Sequence, residues 1–157
     1  MDINIGLSAQ QRQAICSMLN ALLADAYLVK TKTLNYHWNV RGIHFYQLHK
    51  FFEEQYGELA ESIDKIAERV RALDGVAAGT MQEFLNISRL KEDPTHVTDA
   101  KSMIRNLLED HETQIRQLRA DVSKINDNIG DDGTADFLTS LMEKHEKMAW
   151  MLRSMLE

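Results

Sequence analysis

The sequence predicts an all-α protein, a four-helix bundle with a short extra helix in the crossover between its second and third long helices. Three observations predict it. Apolar residues recur at spacings of three and four along four long stretches, the period of helices that bury one face. Seven glycines and one proline, Pro94, are too few for a loop-rich β protein. Hydrophobic residues make up 44% and charged residues 27% of 157 positions, which excludes intrinsic disorder. That length suits one domain, residues 1–157, with 1–7 as a short N-terminal tail.

The first helix is expected to start at Ser8, because Ser8 and Gln11 fit a capping box. Its stripe runs through Ile15, Leu19, Leu22, Ala26 and Val29, and the pattern ends near Trp38, ahead of Arg41-Gly42. The second helix carries Phe45, Leu48, Phe52, Leu59, Ile63, Ile66 and Val70, and stops at Asp74-Gly75. Met81 to Ile87 makes a short helix within the mixed segment 75–95. The third long helix opens at Thr98-Asp99 and is expected to break over Asn126 to Gly133. The fourth begins near Asp132 to Thr134 and carries Leu138, Leu141, Met148 and Leu152. Two short connections flanking one crossing of about twenty residues give an up-down-down-up order, the ferritin-like arrangement.

A net charge of −6 argues against a generally basic nucleic-acid binder. Cys16 is alone, so no intrachain disulfide forms, and it is expected to be a buried, inert thiol in a reducing compartment. Met1 to Arg12 lacks a basic and then apolar leader pattern, and no stretch reads as a membrane span. The expected location is cytoplasmic.

The residues that carry chemistry lie between His37 and Glu68. His37 ends the first helix, while His49 with Glu53 and Asp64 with Glu68 are i, i+4 pairs on the second. At 100° per residue the last four fall within a stripe roughly 100° wide. Imidazole plus carboxylate suits iron, zinc or manganese. Along the axis, however, fifteen residues separate His49 from Asp64, roughly 22 Å. Either the chain holds two incomplete half-sites, or a two-fold-related copy brings Asp64 and Glu68 opposite His37, His49 and Glu53. The second arrangement builds two identical sites from one self-complementary contact and is preferred. Within the bundle, no histidine follows a glutamate by three positions, so an intrachain di-iron centre is disfavoured. His111 and His145 lie on apolar stripes and read as core or interface residues. His44 and His96 have no ligand partner at helical spacing.

With Asn35-Tyr36-His37-Trp38-Asn39-Val40-Arg41-Gly42, His49-x-x-x-Glu53 and Asp64-x-x-x-Glu68-Arg69, the sequence resembles the Dps family, the miniature ferritins named as DNA-binding proteins from starved cells. The resemblance extends through Asp132-Gly133-Thr134-Ala135-Asp136 to the helix bearing Trp150. It implies a shell of twelve identical subunits around a cavity, with ferroxidase centres between two-fold-related subunits. By position, His37, His49 and Glu53 come from one subunit and Asp64 and Glu68 from the other, although the family often has Asp where Glu53 stands. It further implies Fe(II) oxidation, preferentially by hydrogen peroxide, with ferric mineral stored inside and protection against oxidative damage. Zinc or other divalent metals are substitutes for iron at such a site. Trp38 is implied as an electron donor beside His37. Tyr36 and Trp150 are further candidates for which packing is the expected role.

Asp127, Asp132 and Asp136 are implied to line a three-fold pore for iron entry, with Asp131 or Asp132 also capping the last helix. The chain departs from the family name in lacking a Lys/Arg-rich terminus, since its first basic residue is Arg12 and it ends Arg153-Ser154-Met155-Leu156-Glu157. DNA binding is therefore not expected. The alternative is a non-enzymatic shell of the same fold that compacts DNA or serves a structural role.

Overall fold

Helix α1 spans Ala9–Asn39 of the computed structural model, which describes residues 3–157. Its start is the predicted capping box: Gln11 N–H donates to Ser8 Oγ at 3.3 Å, and Ser8 N–H donates to Gln11 Oε1 at 2.8 Å. After Asn39 the chain turns at Gly42, whose φ of +110° lies in the left-handed region that side-chain-bearing residues avoid. This tight exit lets α2, Phe45–Ala72, fold straight back. The short helix α3 covers Met81–Ile87 as expected, capped by a second box between Thr80 and Glu83. Helix α4, Ala100–Asn128, is capped by Asp99, and α5, Asp132–Ser154, by Asp131.

The expected break over Asn126 to Gly133 shrinks to three residues. Asn126 to Asn128 are exposed and continue the helix, which closes where Gly130, at φ +77°, donates to the Ile125 carbonyl at 2.8 Å. Polar residues on a solvent face end no helix by themselves; the left-handed glycine does.

The core divides along the bundle. One part joins Leu19, Leu22, Ile66, Leu118 and Leu141, a second Tyr36, Phe52, Met103, Leu107 and Leu152, and a small third Val29, Leu59 and Met148. The crossover is tied to α1 by Asn20 and Asp25, and further along by Lys32 and Tyr36. Asn20 bonds the Val76 carbonyl and the Ala78 amide, each at 2.9 Å. Asp25, wholly buried, accepts from Ser88 Oγ, from Arg89 N–H and from the Arg89 guanidinium at 2.6–2.8 Å. Such a buried carboxylate is tolerable only because it is paired and fully hydrogen-bonded.

By length and composition α1 is apolar enough to cross a membrane, but 56% of its most apolar stretch is buried within the bundle. Its hydrophobicity is that of a central core helix. His111 and His145 are both buried, as expected of core histidines, and face each other with Nδ1 atoms 2.8 Å apart. Cys16 is likewise buried and free, with burial raising its thiol pKa.

Candidate metal centre

His37 is carried by the last turn of α1 and His49 by the second turn of α2, so the Gly42 turn brings them face to face. Each ring donates to the other residue's backbone. His37 Nδ1 lies 2.7 Å from the His49 carbonyl, and His49 Nδ1 lies 2.9 Å from the His37 carbonyl. A carbonyl oxygen only accepts, so both Nδ1 atoms carry the proton, and in the neutral rings both Nε2 atoms keep a lone pair. The rings stack at 3.8 Å, Phe45 stacks on His49 at 5.2 Å, and Tyr56 meets His37 edge-on at 5.3 Å. Orientation and tautomer are thus set before any ligand arrives, the role that partners behind metal-binding histidines usually play.

Glu53 stands one turn beyond His49, partly exposed, and receives Lys50 Nζ at 2.6 Å. That hydrogen bond holds its carboxyl below the usual range, and the charge of Lys50 adds to the effect. Asp64 and Glu68 are exposed farther along α2. Among the described residues, no group of three or more His, Cys, Asp and Glu side chains is placed to hold a metal ion. One chain therefore brings His37 and His49 together with Glu53 nearby, and leaves Asp64 and Glu68 apart. Around the histidines lies an apolar surface: Trp38 is 68% and Ile43 92% exposed, and Tyr46 is exposed beside them.

Behind Glu68, Arg69 reaches the start of α5. Its Nη2 donates to Asp131 Oδ2 at 3.1 Å and to Thr134 Oγ1 at 2.9 Å. A Cβ on Gly133 would lie 3.2 Å from that Nη2, so the glycine leaves room for the guanidinium. Burial works to raise the Asp131 pKa, but Thr134 and Arg69 outweigh it and the net shift is downward. Asp131 is accordingly the helix cap, while Asp127, Asp132 and Asp136 are exposed. Trp150 departs from the packing expected of it, being 62% exposed, because it falls between the buried positions Met148 and Leu152. Tyr36 is packed in the core as expected, and its hydroxyl donates to Asp93.

Lys50 was not singled out in the sequence, and Phe45, Tyr56 and Arg69 stood there only as stripe or motif positions without a role at the site. Their signals were present: Lys50 stands three residues before Glu53, and Tyr56 two helical turns after His49.

The ferritin-like domain model matches residues 16–157. A low temperature-induced protein of Nostoc sp., itself uncharacterized, is 52% identical over 155 residues, covering 99% of this chain and 87% of that protein. DNA protection during starvation protein 2 of Bacillus anthracis is 39% identical over 142 residues, covering 90% and 96%. The solved structure of DpsC from Streptomyces coelicolor superposes with a TM-score of 0.95 at 34% identity, covering 100% of this chain and 91% of that one. The chain belongs to the Dps family. Membership supports a general role for this Dps protein in iron storage and oxidative-stress protection.

Proposed function

We propose that this Dps protein oxidises Fe(II), preferentially with hydrogen peroxide, at centres completed between two-fold-related subunits, and stores the ferric product inside a dodecameric shell. The observation that carries the reading is the reciprocal His37–His49 lock, which leaves two oriented Nε2 lone pairs at the edge of one subunit. Neutral imidazoles bind Fe(II) without adding charge, and carboxylates favour Fe(III). His37, His49 and Glu53 would bind the iron substrate from one side, with Asp64 and Glu68 of a two-fold-related copy closing it from the other. The exposed Trp38, Ile43 and Tyr46 fit burial in that contact. Asp132 and Asp136, exposed at the start of α5, would draw ferrous iron into the shell, with Asp127 adding to the field. Zinc and other divalent ions would compete for the same donors. DNA binding is not part of the proposal, since a net charge of −6 offers no excess of cations to a phosphate backbone.

The test is anaerobic Fe(II) loading followed by peroxide, comparing wild type with the His37→Ala/His49→Ala double variant. Loss of groups that merely orient ligands costs about 10- to 100-fold, so loss of both imidazoles is expected to slow oxidation by about 100-fold or more. Equal rates would overturn the site. Size-exclusion chromatography of the same samples separates a shell of about twelve chains from a dimer.

A further inference from the structure

We propose that Tyr36 supplies an electron to the oxidation centre and that Asp93 accepts its phenolic proton; this rests on the proposed function above. Tyr36 is 1% exposed, and its hydroxyl donates to Asp93 Oδ2 at 2.6 Å. Asn106 Nδ2 donates to the same hydroxyl at 2.9 Å and to the same carboxylate oxygen at 3.3 Å. Asp93 also accepts from the Thr95 amide at 3.1 Å and from the Thr95 hydroxyl, which hold the carboxylate toward the core from the crossover. A tyrosine that only fills space needs no charged acceptor; any carbonyl satisfies its hydroxyl. Here a carboxylate from 57 residues away is brought to it.

The placement suits one-electron chemistry. Tyr36 precedes His37 directly, so their Cα atoms are about 3.8 Å apart. Its ring also lies 6.4 Å from that of Phe52, the neighbour of Glu53. Oxidising a phenol expels its proton, and a positioned base takes it in the same step. Trp38, also beside His37, lies at the subunit surface and lacks such a carboxylate partner among the described residues of the chain.

The need arises when one Fe(II) occupies a centre as peroxide arrives. Peroxide requires two electrons to break its O–O bond cleanly, and the iron gives one. Tyr36 gives the second, its proton passes to Asp93, and both oxygens leave as water after taking two protons from solvent. Once Asp93 returns its proton to solvent, the balance is Fe(II) + Tyr–OH + H2O2 + H+ → Fe(III) + Tyr–O• + 2 H2O. No hydroxyl radical departs. A later Fe(II) with one proton restores the phenol.

The experiment mixes the assembled protein, loaded with Fe(II) below one ion per centre, with hydrogen peroxide and freeze-quenches it for EPR. Ferric absorbance is read in parallel. The expected result is an organic radical that narrows when the protein carries ring-deuterated tyrosine, is lost in Tyr36→Phe and persists in Trp38→Phe. Asp93→Asn is expected to slow its formation by about 100-fold while leaving ferric formation in place. A tyrosine radical unchanged in Tyr36→Phe, or none beside normal ferric product, overturns this proposal alone. Absence of peroxide-dependent ferric product in wild type overturns it together with the proposed function. Should Tyr36→Phe fail to fold, the Asp93→Asn rate decides: slowed radical formation supports the proposal, and an unchanged rate overturns it.

Discussion

Two histidine pairs join helices in this protein, and they use the same atoms to opposite ends. In His37 and His49 each Nδ1 donates to a backbone carbonyl at 2.7 or 2.9 Å, so the pair turns two Nε2 lone pairs outward. In His111 and His145 the two Nδ1 atoms bond to each other at 2.8 Å inside the bundle. One of them donates and the other accepts, so one ring proton is spent inside the pair and a single N–H, on the accepting ring's Nε2, is left to offer elsewhere. His111 Nε2 is left buried without a partner, as are the carboxamide oxygens of Gln55 and Gln114. What separates the pairs is the acceptor: backbone carbonyls, exposed by a helix end and a turn, release ring nitrogens for binding, whereas an imidazole acceptor consumes them.

The comparison is sharpened most by acid. Burial pushes His145 down to about 4 and His111 well below its usual range, with the neighbouring His145 adding to the latter. Around His145, Asp25 opposes the shift and Lys144 reinforces it. Both histidines regain ordinary values near 6.5 on unfolding, so below that pH the unfolded chain binds more protons than the folded one. Their stabilising contribution is complete above about pH 6.5; that of His145 is lost as pH falls through about 4, and that of His111 falls in the same direction. For His145 alone the loss is roughly 3 kcal/mol. Denaturant titrations between pH 7 and 4 should show it in wild type, and a His111→Leu/His145→Leu variant should flatten the slope over that range. A slope unchanged in that variant would break the distinction between the pairs.

Single truncations should separate the pairs next. His145→Ala leaves His111 Nδ1 unpaired in the core and opens a cavity, with an expected cost of about 3 kcal/mol. His49→Ala leaves the His37 carbonyl without its ring donor at the end of α1, and about 1 kcal/mol is expected. Chemical denaturation of both at pH 7 checks the ranking; iron oxidation should follow the reverse order, lost in His49→Ala and kept in His145→Ala.

The same contrast explains what was legible in the sequence. Helices were, because apolar spacing of three and four survives without any knowledge of neighbours, as in Ile15 to Val29. His49, Glu53, Asp64 and Glu68 were legible as a stripe, since helical geometry alone fixes their common face. That His111 and His145 lie in the core also followed from their stripes. Their mutual bond did not, because it depends on how α4 and α5 register against each other. Nor did the carbonyl acceptors of His37 and His49: every residue has a carbonyl, and only the turn at Gly42 decides which two face the rings. The Tyr36–Asp93 contact spans the crossover, whose mixed composition carries no periodicity to read.

The smallest expected effect concerns the readiness of the outer pair. Its donors stand free on the histidine side, but Glu53 is engaged by Lys50 at 2.6 Å before any metal arrives. Iron must displace that ammonium, and Lys50→Ala removes the competitor. The pair is exposed, and exposed ion pairs are weak, so Fe(II) or Zn(II) affinity at the centre should rise by no more than about fivefold. Added salt should narrow the gap between wild type and variant, because it screens the same contact. The Lys50→Ala carboxyl should also titrate at a higher pH than in wild type, because the hydrogen bond that lowers it is gone. Anaerobic titration calorimetry at two ionic strengths measures all but the last, which carboxyl NMR supplies. A fall in affinity would reverse the assignment of Lys50, making it a group that holds Glu53 in the binding geometry. The outer pair would then need a charged neighbour to be ready, as the inner pair needs none.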